Sequence, residues 1–189
     1  MLEAITELDV SLLIYLNSLG SQPFDSLWLF ITKQFNWIPV FAVILYVVVK
    51  KFGWKHTLLI LVMIALLITI TDQTTNLVKN FIQRLRPCSN PDIMDYIRIV
   101  KSSDTFSFFS GHASNSMAAA FFIYRLLRPY YKYAWILFLW PLVFAYSRIY
   151  LGLHYPLDII CGYIWGIFTS SIVFLLYRFL RDKYFVKKD

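Results

Sequence analysis

The chain has 189 residues, of which 59% are hydrophobic and 19% aromatic, and its mean hydropathy is +0.59. This composition excludes an ordinary soluble domain, and several apolar runs near 20 residues long predict an all-α, polytopic membrane helix bundle. The formal net charge of +7 does not indicate a nucleic-acid partner, because most Lys and Arg residues lie in short turns between apolar segments.

The first 51 residues predict an interfacial helix and one membrane crossing. Residues 1–20 alternate acidic and apolar positions at helical spacing, which is typical of a short amphipathic helix lying in the membrane interface. Residues 24–51 are apolar but are interrupted by polar side chains and by Pro39. We interpret them as one long tilted crossing. The alternative is an interfacial helix followed by a crossing that begins at Trp37.

Four further apolar segments predict the second to fifth crossings of a single domain that extends over residues 1–189. These crossings span residues 56–85, 112–128, 131–150 and 156–180. A mostly polar loop, residues 87–110, separates the second crossing from the third. We expect a short interfacial helix within it, near residues 92–100.

The distribution of positive charge predicts the orientation of the bundle. Basic residues concentrate in the turns 50–55 and 125–132 and in the tail 178–189, which the five crossings place on one side. By the positive-inside rule this side is cytoplasmic, so we predict a multi-pass protein of the inner (cytoplasmic) membrane. Residues 79–112 and 147–158 then face the periplasm or the exterior. The cations among them run against the charge trend and need another explanation.

Lys79 and Arg86 are the first candidates for a function at the outer side. They are seven residues apart, and we expect them to leave the same face of one helix. Asp72, Thr75 and Asn76 lie on about that face, which predicts a polar stripe turned toward the bundle interior. A basic helix end that binds lipid headgroups is the simpler alternative.

The third predicted crossing begins with Ser110, Gly111 and His112. Serine is a good helix N-cap, and glycine allows the backbone to approach a ligand closely. The first N–H groups of a helix form a ready site for an anion, and His112 lies beside them. Taken alone, the three residues fit an ordinary cap equally well.

Arg148, His154 and Asp158 lie between the last two apolar segments, where charge is costly. His154 and Asp158 are four apart, a spacing that lets a carboxylate hold one imidazole nitrogen while the other stays free as a base or nucleophile. The alternative is a membrane-edge arginine and histidine that reach to the headgroups, with a capping aspartate.

Together these residues favour phosphate chemistry. The outer side collects Lys79, Arg86, Arg148 and the helix N-terminus at Ser110, and such groups suit phosphoryl oxygens. The sequence has no Walker loop, no His-Glu-x-x-His motif and no acidic cluster for Mg²⁺. We therefore predict a reaction without a metal or other cofactor.

Three motifs resemble the signatures of the type-2 phosphatidic acid phosphatase superfamily, an integral-membrane family of lipid phosphatases. They are Lys79-x6-Arg86-Pro87, Ser110-Gly111-His112 and Ser147-Arg148-x5-His154-x3-Asp158, within a catalytic core of residues 70–170. One position departs from the family, which usually has Pro where this chain has Phe109.

The resemblance implies a mechanism for the site. His154 would attack phosphorus to form a phosphohistidine, with Asp158 orienting it, and His112 would protonate the leaving oxygen and then activate water. The phosphoryl oxygens would be held by Lys79, Arg86, Ser110, Gly111 and Arg148.

The resemblance also implies a lipid phosphate or diphosphate as substrate, and we favour undecaprenyl diphosphate. Phosphatidylglycerophosphate, phosphatidic acid and the 1-phosphate of lipid A are the alternatives, and a second lipid in place of water as phosphoryl acceptor stays open. An anion transporter is disfavoured, because its charges tend to lie at the bilayer midplane. The sequence does not predict an oligomeric state.

Overall fold

The structure, a computed structural model, describes residues 2–185 and the side chains of residues 3–185. Over this range the chain is helical and contains no strand. The α-helices are α1 (Leu2–Ser18), α2 (Asp25–Ile31), α3 (Ile38–Phe52), α4 (Trp54–Ile82), α5 (Gly111–Leu127), α6 (Leu139–Tyr150) and α7 (Pro156–Tyr184). Short 3-10 turns at Gln22–Phe24, Gln34–Trp37, Pro87–Ser89, Met94–Tyr96 and Ala134–Phe138 join or extend them.

Three helical segments in the described part of the chain are long and apolar enough to cross a membrane, namely Gln34–Phe52, Trp54–Ser89 and Pro156–Tyr184. The segment Ala134–Tyr150 is a shorter apolar helix, and α5 has 17 residues. A helix of that length measures about 25 Å, slightly less than the hydrocarbon core of about 30 Å. The predicted membrane helix bundle is confirmed, whereas five crossings remain a prediction.

The C-terminal tail predicted at residues 178–189 is helical where it is described. Helix α7 continues to Tyr184 and carries Arg181 and Lys183 in its last turn. Residues 186–189 lie outside the described part of the chain.

The prediction of one crossing over residues 24–51 is wrong. Helix α2 ends at Ile31, and the chain is extended at Lys33 before the next helical segment begins. Two side chains hold the break: the Asn36 amide donates to the Phe30 carbonyl at 2.7 Å, and the Trp37 indole donates to the Ile31 carbonyl at 2.8 Å. These bonds satisfy carbonyls that a continuing helix would have used, so the chain turns at this point.

The helix expected near residues 92–100 is also wrong, because only the single 3-10 turn at Met94–Tyr96 forms there. Backbone groups of this loop bond to other elements of the fold. The Arg98 N–H donates to the Asn17 side chain at 2.7 Å, and the Lys101 N–H donates to the Leu151 carbonyl at 3.3 Å.

Helix α1 is amphipathic, as predicted, and its buried side carries polar residues. Asp9, Leu13 and Asn17 follow one another at a spacing of four and are 5%, 0% and 0% exposed, whereas Ile5 and Leu8 are 46% and 68% exposed. Side chains that face outward in this way suit contact with lipid. The buried polar side chains of α1 bond within the protein instead, as the Asn17 amide does with carbonyls of α6 and of the loop between α4 and α5.

Helices α5 and α7 pack closely because two glycines on α7 lie against the backbone of α5. A Cβ atom on Gly162 would lie 2.7 Å from the Ser110 carbonyl oxygen, and one on Gly166 would lie 2.5 Å from that of Ser114. Small residues at a spacing of four permit this approach in membrane helices. The contact also joins the beginnings of the two helices, where the Ser110 N–H donates to the Asp158 carbonyl at 3.0 Å.

We expect Gly166→Ala to destabilise the bundle by about 1–3 kcal/mol, because the added methyl group forces α5 and α7 apart. Thermal unfolding in detergent measures the effect. Ile164→Val, on an exposed position of the same helix, is the control and leaves the melting temperature unchanged. A Gly166→Ala protein as stable as the wild type would contradict this account of the packing.

Candidate active site

A cavity of about 200 Å³ lies between the ends of α4, α5 and α6 and the segment that precedes α7. Its walls contain Gln34, Asp72, Thr75, Asn76, Lys79, Arg86, Gly111, His112, Asn115, Phe144, Arg148 and His154. Most of the predicted site residues therefore share one space. Asp158 lies behind His154, and Ser110 is not part of the cavity wall. The polar stripe predicted on α4 does face this interior space.

Lys79 and Arg86 reach the cavity from different kinds of backbone, so the prediction that they share a helix face is wrong. Lys79 is in the last turn of α4, but the helix ends at Ile82. Gln83 then adopts a left-handed conformation with φ 53°, which turns the chain out of the helix axis. Arg86 follows in an extended conformation and enters the cavity from the loop between α4 and α5.

The Arg86 guanidinium is held rigidly. Its Nε donates to the Thr105 carbonyl at 2.7 Å, and Nη2 donates to the Thr105 hydroxyl at 2.8 Å. Nη1 donates to the Leu153 carbonyl and to Nε2 of His154, both at 3.0 Å. The planar fork of donors is thus fixed against the cavity wall beside the histidine.

Arg148 is 6% exposed, and its guanidinium has fewer hydrogen-bond acceptors than N–H donors among the described residues. Its Nη1 donates to the Thr32 hydroxyl at 2.7 Å, while its Nε is buried and has no partner among the described residues. In that part of the chain, no carboxylate forms an ion pair with Lys79, Arg86 or Arg148. Three cations gathered in one buried space without an ion pair are costly, and the cavity is therefore suited to an anion.

His154 is 1% exposed, and its protonation is determined by its neighbours. A guanidinium has only donors, so Nε2 of His154 accepts from Arg86 and Nδ1 carries the proton. This Nδ1–H faces Oδ2 of Asp158 at 3.3 Å. Burial, followed by the charges of Arg86, Arg148 and Lys79, lowers the pKa of His154 well below its ordinary value of 6.5. The imidazole is neutral, with the lone pair of Nε2 toward the cavity.

Asp158 is held in place by groups on every side. It is in the first turn of α7, is fully buried, and accepts the Tyr155 N–H on Oδ2 at 3.0 Å. The Ser107 hydroxyl donates to the same oxygen, and Nη1 of Arg84 donates to Oδ1 at 2.8 Å. The predicted contact between His154 and Asp158 is present, but Ser107 and Arg84 were not identified from the sequence. One signal in the sequence could have identified Arg84. It is a further cation on the side predicted to be external, where the positive-inside rule disfavours cations.

The beginning of α5 forms the opposite wall. Ser110 is the predicted N-cap, and its hydroxyl accepts the Ala113 N–H at 3.4 Å. Gly111 and His112 follow on the cavity wall. The His112 ring stacks on Phe144, with the ring centres 5.1 Å apart. Neither ring nitrogen has a hydrogen-bond partner within the described residues, so both remain available to a group in the cavity.

The site therefore offers a neutral imidazole oriented by a carboxylate, a second imidazole across a small space, and three cations. This set can bind a phosphoryl group, attack it and protonate a leaving oxygen. Among the described residues, no group of three or more His, Cys, Asp or Glu side chains is placed to hold a metal ion.

Comparison with known proteins gives consistent matches. The model of the PAP2 superfamily matches residues 55–182. The chain is 38% identical to a lipid A 4'-phosphatase of Bacteroides thetaiotaomicron, over 93% of this chain and 80% of that protein. It is 29% identical to a lipid A 4'-phosphatase of Porphyromonas gingivalis, over 97% of this chain and 78% of that protein.

Two further matches are more distant. The chain is 31% identical to an undecaprenyl-diphosphatase of Sulfolobus acidocaldarius, over 78% of this chain and 68% of that protein. Its fold is similar to that of the transmembrane PAP2 type phosphatidylglycerolphosphate phosphatase from Bacillus subtilis, with a TM-score of 0.68, 20% identity and coverage of 96% and 88% of the two chains.

We expect His154 to remain neutral, with its proton on Nδ1, when the pH falls through 6.5, the ordinary pKa of histidine. A lowered pKa means that proton uptake begins only at more acidic pH, so the neutral ring persists where an ordinary histidine is mostly charged. The sequence contains three histidines, so His56→Gln with His112→Gln leaves His154 alone for ¹⁵N NMR titration in detergent. Protonation at or above pH 6.5 would contradict the cation-rich surroundings described.

Proposed function

This chain belongs to the PAP2 superfamily, and from that premise we propose that it is a membrane phosphatase that hydrolyses a phosphate monoester of a lipid A-type glycolipid. The observation that carries the proposal is the neutral, carboxylate-oriented His154 whose Nε2 faces a cavity with three unpaired cations. The distribution of basic residues supports a site on the outer side of the membrane. Lipid A carries its phosphates on sugar rings, so the leaving group would be a sugar hydroxyl.

In the first step of the proposed reaction, Nε2 of His154 attacks phosphorus in line with the ester oxygen. The P–N bond forms while the bond between phosphorus and the sugar oxygen breaks, and a phosphohistidine results. The ring becomes an imidazolium, and the carboxylate of Asp158 beside Nδ1 stabilises its charge.

His112 is proposed to carry the proton in both steps. It lines the same cavity as His154, with its ring nitrogens free of protein partners among the described residues. Once the negative phosphoryl group offsets the surrounding cations, His112 takes up a proton and gives it to the departing sugar oxygen. The neutral ring then accepts a proton from the water that attacks the phosphohistidine. This second step releases inorganic phosphate and restores His154.

The phosphoryl oxygens would bind Lys79, Arg86, Arg148 and the Gly111 N–H as charge moves onto them. Arg86 has a second role in this scheme, because its Nη1 donates a hydrogen bond to Nε2 of His154, the nitrogen that must attack. An entering phosphoryl group takes over that donor and frees the lone pair. Ser110 contributes by capping α5 and fixing its first N–H groups, in place of the direct contact predicted from the sequence.

The deeper wall of the cavity supports a sugar next to the phosphate. Asn76 and Asp72 lie one and two turns before Lys79 on α4, and Asn115 lies one turn beyond His112 on α5. Oδ1 of Asn115 is buried and has no hydrogen-bond partner in the described part of the protein. Sugar hydroxyls would donate hydrogen bonds to the side-chain oxygens of Asp72, Asn76 and Asn115.

The same wall disfavours a second phosphate. The carboxylate of Asp72 would repel the additional charge of a diphosphate, so undecaprenyl diphosphate, favoured by the sequence analysis, becomes the second candidate. The similarity to an undecaprenyl-diphosphatase keeps it in consideration.

A substrate comparison tests the assignment. We expect the purified protein to release phosphate from a lipid A 4'-phosphate with a kcat/KM at least about tenfold above that for undecaprenyl diphosphate. Asp72→Asn narrows the ratio, because it removes the repulsion and one acceptor for a hydroxyl. A higher kcat/KM for the diphosphate, unaffected by Asp72→Asn, would reverse the order of the two candidates.

His154→Ala tests the nucleophile. We expect it to lower kcat by a factor on the order of 10⁴ or more, since His112, the other imidazole of the cavity, has no carboxylate to orient it within the described part of the chain. The wild-type protein, quenched with base after mixing with ³²P-labelled substrate, retains label in an acid-labile form on His154. His56→Gln removes the histidine at the opposite end of α4 and is the matched control, with unchanged turnover. Near-normal phosphate release by folded His154→Ala protein would eliminate the mechanism.

A further inference from the structure

Arg84 occupies one of the six unspecified positions of the first motif, between Lys79 and Arg86, and it connects the site to the N-terminal helix. Its Nη1 donates to Oδ1 of Asp158 at 2.8 Å, and its Nη2 donates to Oδ2 of Asp9 at 2.7 Å. The two carboxylates are 0% and 3% exposed, so one guanidinium joins two buried anions from helices at opposite ends of the sequence.

Arg84 also organises the surroundings of Asp158 through its other groups. Its carbonyl accepts the Ser107 N–H at 2.8 Å, and the Ser107 hydroxyl in turn donates to Oδ2 of Asp158. The guanidinium lies 3.6 Å from the centre of the Tyr155 ring, and Tyr155 donates its N–H to the same carboxylate. Each contact fixes where the carboxylate points.

Asp9 completes the connection from α1. Its Oδ1 accepts the Leu157 N–H at 2.8 Å, one of the unpaired donors in the first turn of α7. Burial raises the pKa of Asp9, and the hydrogen bonds from Arg84 and Leu157 oppose that shift. Asp9 thus caps the helix that carries Asp158 while it also holds Arg84.

We propose that Asp9 and Arg84 are positioning residues of the reaction, which hold the carboxylate of Asp158 against Nδ1 of His154. Helix α1 is then part of the catalytic unit as well as an anchor. This inference rests on the proposed role of His154 as nucleophile.

The alternative is that the cluster only attaches α1 to the bundle, and two features argue against it. Helix α1 already has other attachments: the Asn17 amide bonds three carbonyls at 3.0–3.1 Å, and the Tyr146 hydroxyl donates to the Leu16 carbonyl at 3.1 Å. In addition, Arg84 is the hydrogen-bond donor to Oδ1 of Asp158 within the described residues. Without Arg84, Oδ1 of the fully buried Asp158 carboxylate has no hydrogen-bond donor among these residues. This is costly and favours rotation of the carboxylate away from His154.

Steady-state kinetics on four variants and one control variant provide the first test. We expect Asp9→Asn to lower kcat about tenfold and Arg84→Gln about 100-fold, with KM little changed, because neither side chain lines the cavity. Arg84→Lys restores part of the loss. In the double variant the kcat equals that of Arg84→Gln alone, because Asp9 acts through Arg84. Glu7→Gln, which removes an exposed charge on the same helix, leaves kcat unchanged.

The state of His154 provides a second test that does not depend on turnover. In the protein with His154 as its only histidine, the ¹H shift of Nδ1–H reports its hydrogen bond to Asp158, while Arg86 keeps the proton on Nδ1. We expect Arg84→Gln and Asp9→Asn to move this ¹H signal upfield, because the carboxylate is no longer held against Nδ1. A purely structural attachment leaves the signal unchanged while the melting temperature falls.

Additive losses in the double variant, or an unchanged Nδ1–H signal in Arg84→Gln, would overturn the inference. Failure of the proposed function is a separate result, since it appears as activity in His154→Ala whatever the Nδ1–H signal shows.

Discussion

The repulsion among Lys79, Arg86 and Arg148 is the constraint on which the site depends. In water these cations would separate, but here each is fixed by its own element, and Arg86 and Arg148 are only 5% and 6% exposed. The folding free energy of the bundle holds the like charges together. A bound phosphoryl group would relieve that repulsion. The relief would be greatest in the transition state, when negative charge grows on the phosphoryl oxygens. The same field keeps the imidazole of His154 neutral and therefore nucleophilic.

Close packing of α5 against α7 makes this arrangement possible. Gly162 and Gly166 allow the two helices to approach until their backbones touch, which brings the first turn of α5 beside the first turn of α7. His112 and Asp158 belong to those two turns. The distance between His112 and Asp158 is therefore determined by the absence of two side chains about one and two turns deeper in the bundle.

The local part of the site was predictable from the sequence, and the long-range part was not. Lys79, His112, Arg148 and His154 lie in short motifs at the ends of apolar segments, so their meeting at one end of the bundle follows from helix length and connectivity. Arg84, in contrast, contacts groups 74 and 75 residues away in the chain, and no local spacing reports such contacts. The route of Arg86 was misjudged because a single left-handed residue, Gln83, ends α4 early.

The buried side of α1 was equally hidden, since acidic residues on an amphipathic helix are ordinarily assigned to water. The breaks in the segment 24–51 depend on side-chain bonds from Asn36 and Trp37 that only the folded chain shows.

The contact between Arg86 and Nε2 of His154 has a consequence for the resting protein. An imidazole in the proposed role of nucleophile is also open to alkylating and acylating compounds. With its lone pair occupied by a guanidinium, His154 is protected from neutral electrophiles, and an anion able to draw Arg86 away would expose it. In the proposed reaction, selectivity for phosphate would thus act on the reactivity of His154 itself, before any bond to phosphorus forms.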